Sequence, residues 1–133
     1  MSDLPGPGPR ILLVEDEPAN RALVRAILDR TSRLALREAV LHEAATIAEA
    51  RSLLATCPID IVLVDVRLPD GNGLDLATEL KARGVADPAR VVIVSASVLP
   101  AERQNALATG ADAFLPKPID AAELADLLVR LSA

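Results

Sequence analysis

The run Ile59-Asp60-Ile61-Val62-Leu63-Val64-Asp65, followed by the turn cluster Pro69-Asp70-Gly71-Asn72-Gly73, decides the fold. Its centre is dense in β-branched residues and carries no polar alternation, the pattern of a strand covered on both faces. The strand ends on a carboxylate. The turn cluster then gives way to a helical pattern from about Leu74 to Arg83, with Gly84 as its stop. A doubly buried strand, a turn and a helix make one β-α unit, and such a strand needs helices on both sides of its sheet.

The same unit recurs in both directions. Ile11-Leu12-Leu13-Val14 is a second all-apolar strand, and Pro18 suits the first turn of the helix behind it. Leu23, Val24, Ile27 and Leu28 recur at helical spacing to about Arg30, whereas Thr31 to Arg37 reads equally as loop or helix extension. Glu38 to Ala44 has the look of an edge strand. Thr46-Ile47-Ala48-Glu49 is a capping box for the next helix, which Pro58 stops. Beyond the central strand, Val91 to Ser95 is a fourth strand, and Pro100 opens a helix reaching Gly110. Ala113-Phe114-Leu115 is a fifth strand. Asp120 and Glu123 start a last helix carrying Leu124, Leu127, Leu128 and Leu131. Five β-α repeats predict an α/β domain, a parallel sheet with helices on both faces. Residues 1–9, with Pro5-Gly6-Pro7-Gly8-Pro9, are expected to form a loose tail, and 10–131 the domain.

Composition narrows the function. The 133 residues are 51% hydrophobic and 25% charged, an ordinary globular balance. Phe114 is the one aromatic residue, so the core must be Leu, Val, Ile and Ala. A net charge of −5 without a Lys/Arg cluster argues against direct nucleic-acid binding. Cys57 is the single cysteine, which excludes an intrachain disulfide and suits a reducing compartment. No apolar run approaches the ~20 residues of a membrane span, and the first residues lack the apolar core of a signal peptide. A cytoplasmic location is expected. No G-x-G-x-x-G stands in the chain, which argues against dinucleotide binding.

The chemistry-bearing residues stand where the apolar strands stop: Glu15 and Asp16 after the first, Asp65 after the third, Ser95 after the fourth and Lys117 after the fifth. The carboxyl edge of an open α/β sheet is where ligands bind. If the first and third strands are neighbours, they lie ~5 Å apart and three carboxylates share a small space. Two like charges at ~4 Å repel by about 4 kcal/mol at a surface-like dielectric constant, so the cluster calls for protons, a cation or both. Oxygen-only ligands with open positions favour Mg²⁺. A carboxylate on a rigid strand, a lysine and a hydroxyl suit phosphoryl transfer to Asp65. Taken singly, these residues read as a solvated helix start, a loop carboxylate, a strand-end cap and a surface charge; their convergence on one rim argues otherwise. His42 and Cys57 carry no such company, and Gly71 and Gly73 read as turn glycines.

Glu15-Asp16 after an apolar strand, Asp65 with Leu68-Pro69 and Gly71, Ser95-Ala96 and Pro116-Lys117-Pro118 together resemble the receiver domain of two-component response regulators, including the chemotaxis-regulator type. The likeness covers about residues 10 to 131. The resemblance implies a flavodoxin-like (βα)5 three-layer sandwich with strand order 2-1-3-4-5. It implies Asp65 as phosphoacceptor, with Mg²⁺ held by Asp16, Asp65 and the backbone carbonyl of Arg67, and by Glu15 through water. Ser95 and Lys117 become phosphoryl ligands, and the Lys117-Pro118 bond is cis. Ser95 and Phe114 become the switch pair, although many members carry Tyr where this chain has Phe114. Arg67 and Ser97 flank the site. The phosphodonor is a histidine kinase or a histidine phosphotransfer protein. The partner downstream is a protein of unknown identity, met on the face of the fourth helix, fifth strand and fifth helix. The implied state is a monomer or a phosphorylation-dependent dimer.

Such a domain turns over no external substrate and is not an enzyme beyond its own phosphorylation and dephosphorylation. Two other readings compete. A haloacid-dehalogenase-type phosphatase shares the Mg²⁺, Asp and Lys usage, but needs a second Asp two residues after the nucleophile, where this chain has Arg67. A pseudo-receiver should lack a site residue, and here none is missing. No output domain follows residue 131, which leaves a stand-alone regulator or part of a longer protein.

Overall fold

The computed structural model describes residues 8–82, 89–96 and 99–132. Five strands, β1 (Arg10–Val14), β2 (Val40–Ala44), β3 (Ile61–Asp65), β4 (Arg90–Ser95) and β5 (Ala113–Pro116), form one sheet in the order β2-β1-β3-β4-β5. Every pairing in it is parallel. The helices are α1 (Pro18–Arg30), α2 (Ile47–Thr56), α3 (Gly73–Ala82), α4 (Pro100–Ala108) and α5 (Ala121–Ser132).

Successive side chains of a strand point to opposite faces, and the core divides accordingly. Ile11, Leu13, Leu63 and Val92 pack with Val24 and Ile27 of α1 and Leu124 and Leu128 of α5. Leu12, Val14, Val64 and Ile93 pack with Ile47 of α2, Leu76 and Leu80 of α3 and Ala106 of α4. This is why β1, β3 and β4 tolerate no polar alternation: both of their faces are core. β2 is buried only at Ala44, as an edge strand should be.

Several boundaries differ from the sequence expectation. Residues through 9 were expected to be a tail, yet Pro9 is buried and its carbonyl accepts the Val40 N–H at 3.0 Å. A Cβ on Gly8 would lie 2.4 Å from Ala39 N. Residues 1–7 lie outside the described residues, as do Gly84 and Ser97. The ambiguous segment after α1 forms a 3-10 turn over Leu34–Leu36, with Leu36 buried. The Leu36 carbonyl takes the Ala39 N–H, so the β2 ladder starts at Val40 rather than Glu38. α4 stops at Ala108, short of Gly110, because Thr109 and Gly110 bond back three residues and Gly110 turns to φ +91°. Thr46 caps α2 through the Glu49 N–H, and Glu49 reaches back to the Ala45 N–H, one residue ahead of the cap. Asp120 accepts the Glu123 N–H at 2.9 Å. One element left no periodic signal: Arg67–Leu68 pair antiparallel with Gly71–Asn72, closing the turn after β3 into a miniature hairpin. The Lys117-Pro118 bond is cis.

Candidate functional site

Four adjacent strands end in reactive groups at the same edge. The Glu15 N–H extends the β1 ladder onto the Ala44 carbonyl at 2.8 Å, placing Glu15 and Asp16 just past β1. Asp65 is the last residue of β3, in register with Val94, and Ser95 ends β4. The Lys117 N–H bonds the Ser95 carbonyl at 2.9 Å, which fixes the backbone of Lys117 beyond β5. Glu15, Asp65 and Ser95 are 2%, 8% and 8% exposed and are the only buried polar or charged residues among those described. A folded chain keeps charges in such places only when they are paired.

Lys117 pairs them. Its Nζ stands 2.8 Å from Glu15 Oε1 and 2.9 Å from Asp65 Oδ2. Glu15 is held further by the Glu17 N–H on Oε2 (3.2 Å) and by Asn20 Nδ2 on Oε1 (3.4 Å). Its backbone carbonyl accepts Arg21 Nη1 at 2.8 Å, and Arg21 Nε lies 3.5 Å from Glu43 of β2. Burial pushes the Glu15 carboxyl above its ordinary range, with the Asp65 charge adding and the bonds from Lys117 and Glu17 opposing. Burial alone would lower the Lys117 ammonium, but its bonds to Glu15 and Asp65 outweigh that and raise it. Lys117 is therefore charged at neutral pH.

Asp16 is exposed at the mouth. One ligand oxygen from each of Glu15, Asp16 and Asp65 lies within 4.8 Å of the others. Three carboxylates against one ammonium leave a formal excess of negative charge, and every donor is a hard oxygen. That donor set, open on the Asp16 side, fits a hard divalent cation such as Mg²⁺. Arg67 sits two residues on in the miniature hairpin, and its N–H points to Asp65 Oδ1 at 3.4 Å.

Beyond Asp65 a cleft of about 910 Å³ runs toward α4, lined among others by Arg67, Ser95, Leu99, Glu102, Phe114 and Lys117. Phe114 is half-buried on β5, opposite Ile93. The Arg103 guanidinium of α4 lies 5.3 Å from its ring centroid, a cation–π contact. The predicted switch residues thus share a cleft with Asp65. His42 lies on β2, at the far edge of the sheet, and Cys57 is a half-buried free thiol at the end of α2.

Four participants escaped the sequence reading. Arg21 and Asn20, on the first turns of α1, hold Glu15. Gly73 is no mere turn glycine: a Cβ on it would stand 1.9 Å from the Asp65 carbonyl oxygen. Asp70, read as part of a turn, reaches across to α2. Proline and glycine spacing marks the turn but carries no sign of these partners.

Among the described residues no helix is long and apolar enough to cross a membrane. The family model of the response regulator receiver domain matches residues 11–129. The response regulator protein PilR of Pseudomonas aeruginosa is 39% identical over 119 residues, covering 90% of this chain and 25% of PilR. The chain therefore spans about a quarter of that relative. The two-component response regulator ORR41 of Oryza sativa subsp. japonica is 35% identical over 123 residues, with 91% of this chain and 92% of ORR41 covered. Among solved structures, the receiver domain of the sensor histidine kinase PA1611 from P. aeruginosa superposes with a TM-score of 0.79 at 28% identity, covering 95% of this chain and 99% of that one. That structure carries a magnesium ion coordinated in its active-site cleft. With the family model matched over nearly the whole chain and the (βα)5 sheet in the order 2-1-3-4-5, the protein belongs to the response regulator receiver domain family.

Proposed function

We propose that this receiver domain takes a phosphoryl group onto Asp65 from a histidine kinase or histidine phosphotransfer protein, in the cytoplasm and with Mg²⁺, and so switches the binding of a downstream protein. The observation that carries this reading is the buried Glu15–Lys117–Asp65 bridge with Asp16 beside it. An Asp65 carboxylate oxygen attacks phosphorus. The new P–O bond forms as the P–N bond of the donor phosphohistidine breaks, and the electron pair leaves with the imidazole. Lys117, already charged and aimed at Asp65, neutralises the transferring oxygens, and the Ser95 hydroxyl donates to another of them. Asp16, Asp65 and the Arg67 carbonyl are the ligands proposed for Mg²⁺, with Glu15 acting through water. When bound, the ion adds positive charge where the phosphoryl oxygens gather. The magnesium in the related PA1611 domain supports this assignment. Residues 10–131 act as one unit, and no external substrate is turned over.

The direct test is the intact mass of the wild-type protein after incubation with a small phosphodonor. A single phosphoryl increment should appear with Mg²⁺ and vanish with a chelator, and peptide mapping should place it at Asp65. An increment indifferent to the chelator, or located elsewhere, would overturn the reading.

The switch is proposed to run through Ser95 and Phe114. Drawing the Ser95 hydroxyl toward the phosphoryl oxygens shifts the loop after β4 and opens room for the Phe114 ring. The ring has no hydroxyl to hold it outside, and burial alone favours the inward position. The α4-β5-α5 face then changes for a protein partner or a second copy, as a population shift between two states. Beryllofluoride, a phosphoryl mimic, should strengthen partner or self-association in the wild type. Ser95→Ala should bind the mimic yet lose most of that gain. Retention of the full gain would exclude this route.

A further inference from the structure

The turn after Asp65 is fastened to a helix more than twenty residues earlier in the chain. Asp70 Oδ1 accepts the Ile47 N–H at 2.9 Å and Oδ2 accepts the Ala48 N–H at 3.0 Å. These are two of the donors that the first turn of α2 cannot satisfy internally. α2 has its own cap as well: Thr46 Oγ1 takes the Glu49 N–H at 3.1 Å. A carboxylate at a helix N-terminus makes charge-assisted bonds and complements the helix dipole. The same bonds, that from Ile47 foremost, hold the Asp70 carboxyl below its ordinary range. A second contact lies alongside. Where a Cβ would stand on Gly71, the Ile47 Cδ1 is only 3.0 Å away, so the turn and the helix start are in contact there too.

From this anchor the connection to the site is short. Leu68 and Arg67 pair with Gly71 and Asn72, and the Gly73 N–H bonds the Val66 carbonyl at 2.7 Å. Arg67 is thus tied into a hairpin whose far end is bolted to α2. We propose that Asp70 is a positioning residue for the divalent-ion site: the two hydrogen bonds it accepts from the α2 N-terminus hold the Arg67 backbone and Asp65 in binding register. The proposal rests on the metal reading above. It also makes the main-chain donors of Ile47 and Ala48 part of what sets ion affinity, although neither residue supplies a ligand.

The experiment is a calorimetric Mg²⁺ titration of wild type, Asp16→Ala, Asp70→Ala, Asp70→Asn and Thr46→Ala, with amide hydrogen exchange on the same proteins in chelator. Asp70→Ala should weaken Mg²⁺ about tenfold, the low end for partners that orient metal ligands. Asp70→Asn keeps one acceptor and should lose less. Thr46→Ala loosens the same helix end without touching the turn, and should keep wild-type affinity within about twofold, well short of the effect expected of a partner that orients ligands. In chelator, Asp70→Ala should speed exchange at Gly73 and Leu74, and Thr46→Ala should not. Equal Mg²⁺ affinity in Asp70→Ala and wild type, or an equal loss in Thr46→Ala, overturns the positioning role. If wild type and Asp16→Ala bind Mg²⁺ alike, the metal reading fails and the Mg²⁺ part of this proposal with it. The clamp itself is then judged by exchange, and unchanged rates at Gly73 would refute it.

Discussion

Asp65→Asn is expected to gain no phosphoryl mass under conditions that phosphorylate the wild type, while folding at least as well. The loss should be complete because the amide offers no carboxylate oxygen to phosphorus, and no other described carboxylate shares the placement of Asp65. Glu15 is more deeply buried and already committed to Lys117, the Glu17 N–H and Asn20. Asp16 is exposed, and the Lys117 ammonium that would neutralise the transferring oxygens is paired with Glu15 and Asp65 instead. The fold should survive because the substitution removes one negative charge from a crowded set. Like charges at ~4 Å repel by about 4 kcal/mol at an effective dielectric constant of 20, and Lys117 keeps Glu15 as a partner. Intact mass, read beside a far-ultraviolet circular dichroism melt, checks both halves. A variant that acquires the phosphoryl increment at the wild-type rate removes Asp65 from its role. A variant that fails to fold shows that the Lys117–Asp65 bond is a structural requirement instead.

The melt, mass and exchange experiments address residues that the sequence disclosed unequally. β1, β3 and β4 were legible because a strand between two helical layers must be apolar at every position, and few other environments impose that. The rim was legible for a related reason. Asp65, Ser95 and Lys117 break apolar runs abruptly, and a parallel sheet aligns all such breaks at one edge. The Arg67–Leu68 hairpin was not legible, since two-residue pairs have no period. Glu38 and Ala39 read as strand, but the Leu36 carbonyl takes the Ala39 N–H first, a competition settled by how Leu36 is buried. Pro9 likewise read as tail, yet it completes the sheet register against Val40. The bond from Asp70 to α2 is the extreme case. Asp70 has every feature of a turn residue, and its partners Ile47 and Ala48 are backbone donors that any residue could supply. Contacts made through main-chain groups leave almost no mark on sequence, and here they fasten the most consequential loop.

Gly73→Ala carries the largest expected effect on stability, and its sign runs against helix propensity. Gly73 opens α3, where alanine would ordinarily be preferred by up to ~1 kcal/mol. It does not adopt a positive φ, so no backbone conformation demands glycine. The constraint is space. A Cβ would stand 1.9 Å from the Asp65 carbonyl oxygen, 2.9 Å from its carbonyl carbon and 2.9 Å from Val64 Cγ2. Two of these atoms are backbone of a central strand and cannot rotate aside. Either α3 lifts from the sheet, opening the packing of Leu76 and Leu80, or the end of β3 moves and takes Asp65 with it. Overpacking a tight site costs about 1–3 kcal/mol and occasionally more; a clash with strand backbone belongs at the upper end, about 3 kcal/mol. Urea denaturation followed by circular dichroism should show a lower midpoint with an unchanged slope. Phosphoryl uptake should slow as well, even at temperatures where the variant is fully folded, because Asp65 can no longer meet Lys117 in the same place. A midpoint within the error of wild type would mean that α3 seats more loosely beneath Asp65 than its 1.9 Å approach requires. Normal uptake in a destabilised variant would show instead that the strain is relieved through the helix, leaving Asp65 undisturbed.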